Sequence, residues 1–161
     1  MAAVFPPVSG SGCASQASLN AVQDSIDLIQ ADVDSKIAGK YQVFEKSITS
    51  SASVGTTTIA TITSQPCLIE SITLHADTAS QADLSSAAIQ GGANGVVTFI
   101  SATDATADNI DVVDEQVSWT GAVRLATGKT IIIDLIGTGS TPVDLTVTTG
   151  YRACVNDGYL V

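Results

Sequence analysis

The sequence predicts a mainly β protein, an antiparallel β-sandwich of jelly-roll-like type preceded by an N-terminal arm and a short coiled-coil helix. Three observations lead there. From Tyr41 onward apolar residues alternate with a period of two. Gly, Pro, Asn and Ser clusters interrupt that alternation every eight to twelve residues or so, with no helical pattern between them. Before residue 40 the period changes: Leu19, Val22, Ile26, Ile29 and Val33 are spaced three, four, three and four apart, the a/d seam of a heptad. Three segments follow: an extended arm over 1–17, a trimerising helix over 18–39 and a sandwich over 40–161.

The arm opens with MAAVFPPVSGSG, in which Pro6-Pro7 favours extended backbone and Ser9 to Gly12 is linker sequence. Val4, Phe5 and Val8 are its apolar anchors. One of only three phenylalanines in the chain stands there, which favours a segment that orders on a neighbouring surface over a plain leader.

The helix has start and stop signals: Ser18 or Asn20 as N-cap, Gln23 in capping-box spacing to Asn20, and Gly39 at C′. Lys36 and Lys40 suit the negative end of its dipole. At about 1.5 Å per residue it spans roughly 30 Å, and alone in water such a helix is marginal, so its seam needs a partner. With Leu19, Ile26 and Val33 at a and Val22 and Ile29 at d, the β-branched layers favour trimers or tetramers over dimers. A trimer is expected, in preference to a helix packed on its own sheet, because the apolar stripe is narrow and the other positions carry Asp24, Asp27, Gln30, Asp32, Asp34 and Ser35. Leu28 falls outside the stripe.

Strands are expected over 41–49, 56–63 and 67–76, then 84–90 and 96–101 around a Gly/Asn turn, a short one near Ile110 to Val113, and others over 117–119, 122–126 and 130–136. The run TIIIDLI at 130–136 has the continuous apolar character of a centrally buried strand. The last strand places Val143, Leu145, Val147, Thr149, Tyr151, Ala153 and Val155 on one face, with Asp144, Thr146, Thr148 and Arg152 on the other. Residues 102–116 read as an acidic surface loop with few core positions.

The chain is 45% hydrophobic and carries 16 acidic against six basic residues, a formal charge of −10. That charge argues against nucleic acid and anionic membranes as partners, and no run has the length of a membrane span. No basic, apolar secretion signal opens the sequence, so assembly is expected in cytosol with Cys13, Cys67 and Cys154 as free thiols.

Chemistry finds little to work with. The single histidine, His75, reads as a sheet-face residue rather than a general base, and no G-x-S-x-G elbow, P-loop or zinc-ligand spacing occurs. Catalytic residues, metal ligands and cofactors are therefore expected to be none. Asp104, Asp108, Asp111, Asp114 and Glu115 offer carboxylates for calcium or glycoside chemistry, but the spacing of a calcium loop is missing and an ordinary solvated loop explains them. Trp119 reads as a core anchor, with a sugar-stacking platform as the alternative.

Taken together, the arm AVFPPVSGSG, the helix LNAVQDSIDLIQADV and the Thr/Ser/Gly-rich segments GAVRLATGKTIIIDLIG and VDLTVTTGYRA resemble trimeric capsid cement or decoration proteins and short fibres of tailed bacteriophages. The resemblance implies a noncatalytic virion protein, assembled in the host cytoplasm, whose trimers bind the major capsid protein or another virion protein and stabilise the shell. A fibre head that binds a receptor or carbohydrate is the alternative it implies.

Overall fold

The elements follow from where the alternation holds and where it slips. A computed structural model describes residues 16–36, 39–50, 55–78, 83–92, 95–138 and 143–161. The chain divides into two units, residues 1–34 and 35–161. The first is built on α1 (Gln16–Lys36). Helical backbone thus begins two residues before the expected start, and Ser18 and Asn20 lie inside the helix rather than at its cap. Gln23 does not act in a capping box; its amide donates to Asp27 Oδ1 at 2.7 Å, one turn on. Gly39 lies beyond the helix end in left-handed backbone, φ +77°, the conformation glycine tolerates best.

Among the described residues of the second unit, nine strands form two antiparallel sheets. The strands are β1 (Tyr41–Ser50), β2 (Gly55–Thr63), β3 (Cys67–Ala76), β4 (Leu84–Gly92), β5 (Val97–Ile100), β6 (Gln116–Leu125), β7 (Thr130–Gly137), β8 (Val143–Ala153) and β9 (Tyr159–Leu160). One sheet has the order β1-β8-β3-β6, the other β5-β4-β7-β2-β9. Strand one therefore lies beside eight, two beside seven, three beside six and four beside five. Buried side chains of both sheets meet in one apolar cluster, with Ile69, Ile72, Leu74 and Leu145 from the first and Ile89, Ile131 and Ile133 from the second. Each such side chain removed from water contributes about 1.5–3 kcal/mol.

The run 130–136 is the middle strand of the five-stranded sheet, as its apolar character led one to expect. Ile131, Ile133 and Leu135 face the core while Ile136 is exposed. On β8 the buried series runs from Val143 to Ala153; Val155 lies past the strand end and is exposed. The segments expected at 117–119 and 122–126 form one strand, β6, and β9 was not expected at all.

Slips in the alternation are bulges. On β3 the register shifts between Ile69 and Ser71, so Ile69 and Ile72, three apart, are both fully buried and Glu70 is turned outward. On β2 a shift between Thr58 and Ala60 buries the consecutive Ile59 and Ala60.

The acidic loop corrects an expectation. No strand forms at 110–113, and Ala105 and Ile110 are fully buried members of the core, while Val112 and Val113 are exposed. The loop closes one side of the sandwich: Ala87 N–H donates to the Ala105 carbonyl at 2.9 Å, and Ala76 N–H to the Glu115 carbonyl at 2.9 Å, so it ties β4 of one sheet to β3 of the other. Phe99 and Trp119 meet edge to face, ring centroids 4.8 Å apart. Trp119 thus packs against the core. Gly91 permits this arrangement, because a Cβ there would run into the Phe99 ring.

Cys67 is buried and Cys154 exposed, both as free thiols, in line with the outward placement expected for Cys154. Burial, and secondarily the neighbouring Cys154, push the Cys67 thiol up to about 11. Burial likewise raises the Tyr151 phenol, against a hydrogen bond from the Leu160 backbone that lowers it. Cys67 stays neutral in the folded chain at a pH where the unfolded chain ionises, so stability is full below pH 9 and declines between pH 9 and about 11. A denaturation series over that range should show a shallower decline for Cys67→Ala than for the natural protein. At neutral pH a maleimide should label Cys154 and spare Cys67 until the chain is unfolded; equal labelling of both in the native state would contradict the burial. A Cys67→Ser, Cys154→Ser double variant loses at most a few kcal/mol, measured by the same denaturation.

Candidate assembly surfaces

Every described side chain of α1, from residue 17 to 30, is exposed, so the apolar stripe is marked by its spacing. In the single chain Leu19 is 53% exposed, Val22 58%, Ile26 50% and Ile29 64%. At about 100° per residue these positions fall on one stripe along α1. Val33 continues the stripe by its spacing, though its side chain lies outside the described residues, as do the anchors Val4, Phe5 and Val8 of the arm. Leu28, 73% exposed, lies about 200° around the helix from Ile26 and belongs to no seam.

The outward face of the four-stranded sheet carries the polar chemistry. His75 sits there with Nδ1 2.9 Å from Asp77 Oδ1 and Nε2 3.6 Å from Asp114 Oδ1. Thr146 Oγ1 donates to the other oxygen of Asp77 at 2.7 Å. The imidazole therefore lies between two carboxylates, a sheet-face histidine in a polar network.

At the other end of the same face Arg152 Nε donates to Glu70 Oε2 at 2.8 Å and Nη1 to the Gly39 carbonyl at 2.6 Å. Gly39 N–H in turn donates to the Ala153 carbonyl at 2.9 Å, so both polar groups of residue 39 are fixed to β8. Tyr41 Oη lies 3.2 Å from Ser71 Oγ. The bulge that exposes Glu70 is what gives Arg152 its partner, and no sequence signal marked it.

Two of the loop acids, Asp104 and Glu115, hold the loop together through their carboxylates. Ser101 Oγ donates to Asp104 Oδ2 at 2.6 Å, and the backbone N–H groups of Asp111 and Val112 both donate to Glu115 Oε2 at 3.1 Å. Among the described residues no three His, Cys, Asp or Glu side chains converge as a metal site, and no helix is long and apolar enough to cross a membrane.

No protein-family model matches the chain, and no characterised protein sequence matches it. Its fold does match. The capsid asymmetric unit of cyanophage Pam1 contains a chain with a TM-score of 0.51 and 14% identity, over 72% of this chain and 86% of that one. The acid-stable capsid of the Helicobacter pylori bacteriophage KHP30 contains another, with a TM-score of 0.50 and 8% identity, over 78% of this chain and 95% of that one. The fold is thus one that chains of phage capsids use, and each neighbour is somewhat smaller than this chain. Residues 39–161 make up about three quarters of the sequence, close to the shares covered.

Proposed function

We propose that the protein is a noncatalytic structural component of a phage virion, a trimeric cement or decoration protein that binds the capsid shell. The observation that carries this reading is the fold shared with two phage capsid chains over 86% and 95% of their lengths. The strand orders β1-β8-β3-β6 and β5-β4-β7-β2 support a jelly roll, an antiparallel ribbon wound so that strands one to four lie beside eight to five. The open apolar stripe of α1 supports a three-stranded coiled coil through Leu19, Val22, Ile26, Ile29 and Val33, since three copies bury together what one chain exposes. In this reading the arm anchors the trimer through Val4, Phe5 and Val8 to the major capsid protein or another virion protein, and assembly takes place in the host cytoplasm.

Co-sedimentation with capsid shells from the phage whose genome encodes the chain tests the attachment. The full chain should pellet with shells. A deletion of residues 1–15, which stops short of α1, should remain a folded trimer and stay in the supernatant. A full chain that stays in solution would remove the shell as partner; a deleted chain that still pellets would move the attachment from the arm to the sandwich or the helix.

A further inference from the structure

We propose that Arg152 clips the edge strand β1 at the point where the chain enters it, so that a pull on α1 is carried by the inner strands β8 and β3 and does not peel β1 away. β1 begins at Tyr41, soon after α1 ends at Lys36, and it lies at the edge of its sheet with β8 as its neighbour among the described strands. Tension along α1 therefore arrives at one end of an edge strand. The bonds of an antiparallel ladder run perpendicular to the strands, so a pull that lifts one end strains them one pair at a time. The first pair here is Tyr41 with Arg152.

The chain is tied down ahead of that pair. Gly39 N–H donates to the Ala153 carbonyl at 2.9 Å, and the Gly39 carbonyl accepts from Arg152 Nη1 at 2.6 Å. Arg152 is itself held from the far side: its Nε donates at 2.8 Å to Glu70 Oε2, on β3, which the bulge between Ile69 and Ser71 turns outward. Tyr41 makes a second tether to the same strand. Its hydroxyl lies 3.2 Å from Ser71 Oγ, and Gly150 on β8 leaves that hydroxyl its room, since a Cβ there would collide with it. The Arg152 guanidinium carbon, 5.6 Å from the Tyr41 ring centroid, joins the two tethers. Both reach across β8, the ladder partner of β1, to the strand beyond.

Two separate N–H groups of one rigid guanidinium bond Gly39 and Glu70, a geometry that an ammonium on a flexible stem does not match. Bonds from a charged donor are about twice as strong as neutral ones. Yet the Arg152 side chain is 42% exposed and that of Glu70 28%, so the pair adds little to the stability of the whole sandwich. Its effect is local: it sets how readily the entrance of β1 opens while the remaining strands stay paired. The clip belongs to the single chain and needs neither trimer nor shell. Only the source of the pull, a helix and arm fixed to a shell, rests on the function proposed above.

Digestion of the full chain with a protease that cuts only after lysine, together with amide exchange, tests the clip. Arg152→Gln should be cut after Lys40 at least about tenfold faster than the natural protein, while cleavage after Lys129, between β6 and β7, stays within about twofold. The Gly39 amide should exchange at least about tenfold faster in the same variant, at an almost unchanged thermal midpoint. Glu70→Gln, which leaves the arginine and removes the charge of its anchor, should accelerate both in the same direction by a smaller factor. In a single-molecule pull on the two ends of the chain, Arg152→Gln should release β1 at a lower force than the natural protein. Equal cleavage after Lys40 and equal exchange at Gly39 in the two proteins overturn the proposal, as does an equal release force. So does a gain in cleavage that appears equally after Lys129 with a lowered midpoint, since Arg152 would then stabilise the whole sandwich and not the entrance of β1.

Discussion

Ile26→Asp is expected to turn the proposed trimer into monomers at micromolar concentration, read by light scattering coupled to size exclusion. Ile26 lies at a core layer of the proposed coiled coil and is half exposed in one chain, so its burial depends on the other two copies. Three carboxylates brought to one layer would each lose several kcal/mol of hydration and would repel one another at close range. An isolated helix of 21 residues has little stability in reserve against that. Leu28→Asp is the matched control: it adds the same charge on the same helix, about 200° away, and should leave the trimer intact. The two variants behaving alike would mean that the seam is not where the copies meet, and a monomeric natural protein would remove the coiled coil altogether.

Ile110→Ala is expected to cost about 2–5 kcal/mol, the usual range for truncating a fully buried isoleucine, and to lower the thermal midpoint by on the order of 10 °C. The size of the effect comes from the loop's position. Ile110 is fully buried and Ala105 with it, so this connection fills the side of the sandwich between β4 and β3 that the strands leave open. Val112→Ala, two residues on at an exposed position, should change stability by no more than about 0.5 kcal/mol. Equal midpoints for the two variants would show that the loop merely covers the core instead of forming part of it.

That contrast marks how far the sequence could be read. Strands were legible wherever one face is wet and the other dry, as on β8, where burial alternates from Val143 to Thr149 and is interrupted by the buried Gly150. The central place of β7 was legible from its continuous apolar run, although burial is confined to Ile131, Ile133 and Leu135 on one face and Ile136 is exposed. Bulges were not, because one inserted residue at Glu70 or Ile59 looks in sequence like a lapse of the pattern. Nor was Ile110, a single apolar residue among aspartates, whose burial depends on a gap between sheets that no local pattern records. Strand order was beyond reach, since β1 and β8 are joined by pairing between segments about a hundred residues apart. Of the candidate surfaces, the seam was visible as spacing. The Arg152–Glu70 pair was invisible, because it depends on a bulge in one strand that turns an acid toward a base on another.

The partnering of first strand with last also governs how the protein can be made. β1 precedes the other strands of its sheet in the chain, yet among the described strands its neighbour is β8, the last of that sheet in chain order. During translation the segment YQVFEKSITS waits unpaired while nearly a hundred further residues are added, and only Glu45 and Lys46 discourage it from pairing with another nascent chain. A chain cut short before residue 143 lacks the strand that joins β1 to β3, and such a fragment has no sheet for β1 to enter. The winding thus sets an order of completion: only a chain translated past β8 can complete the four-stranded sheet.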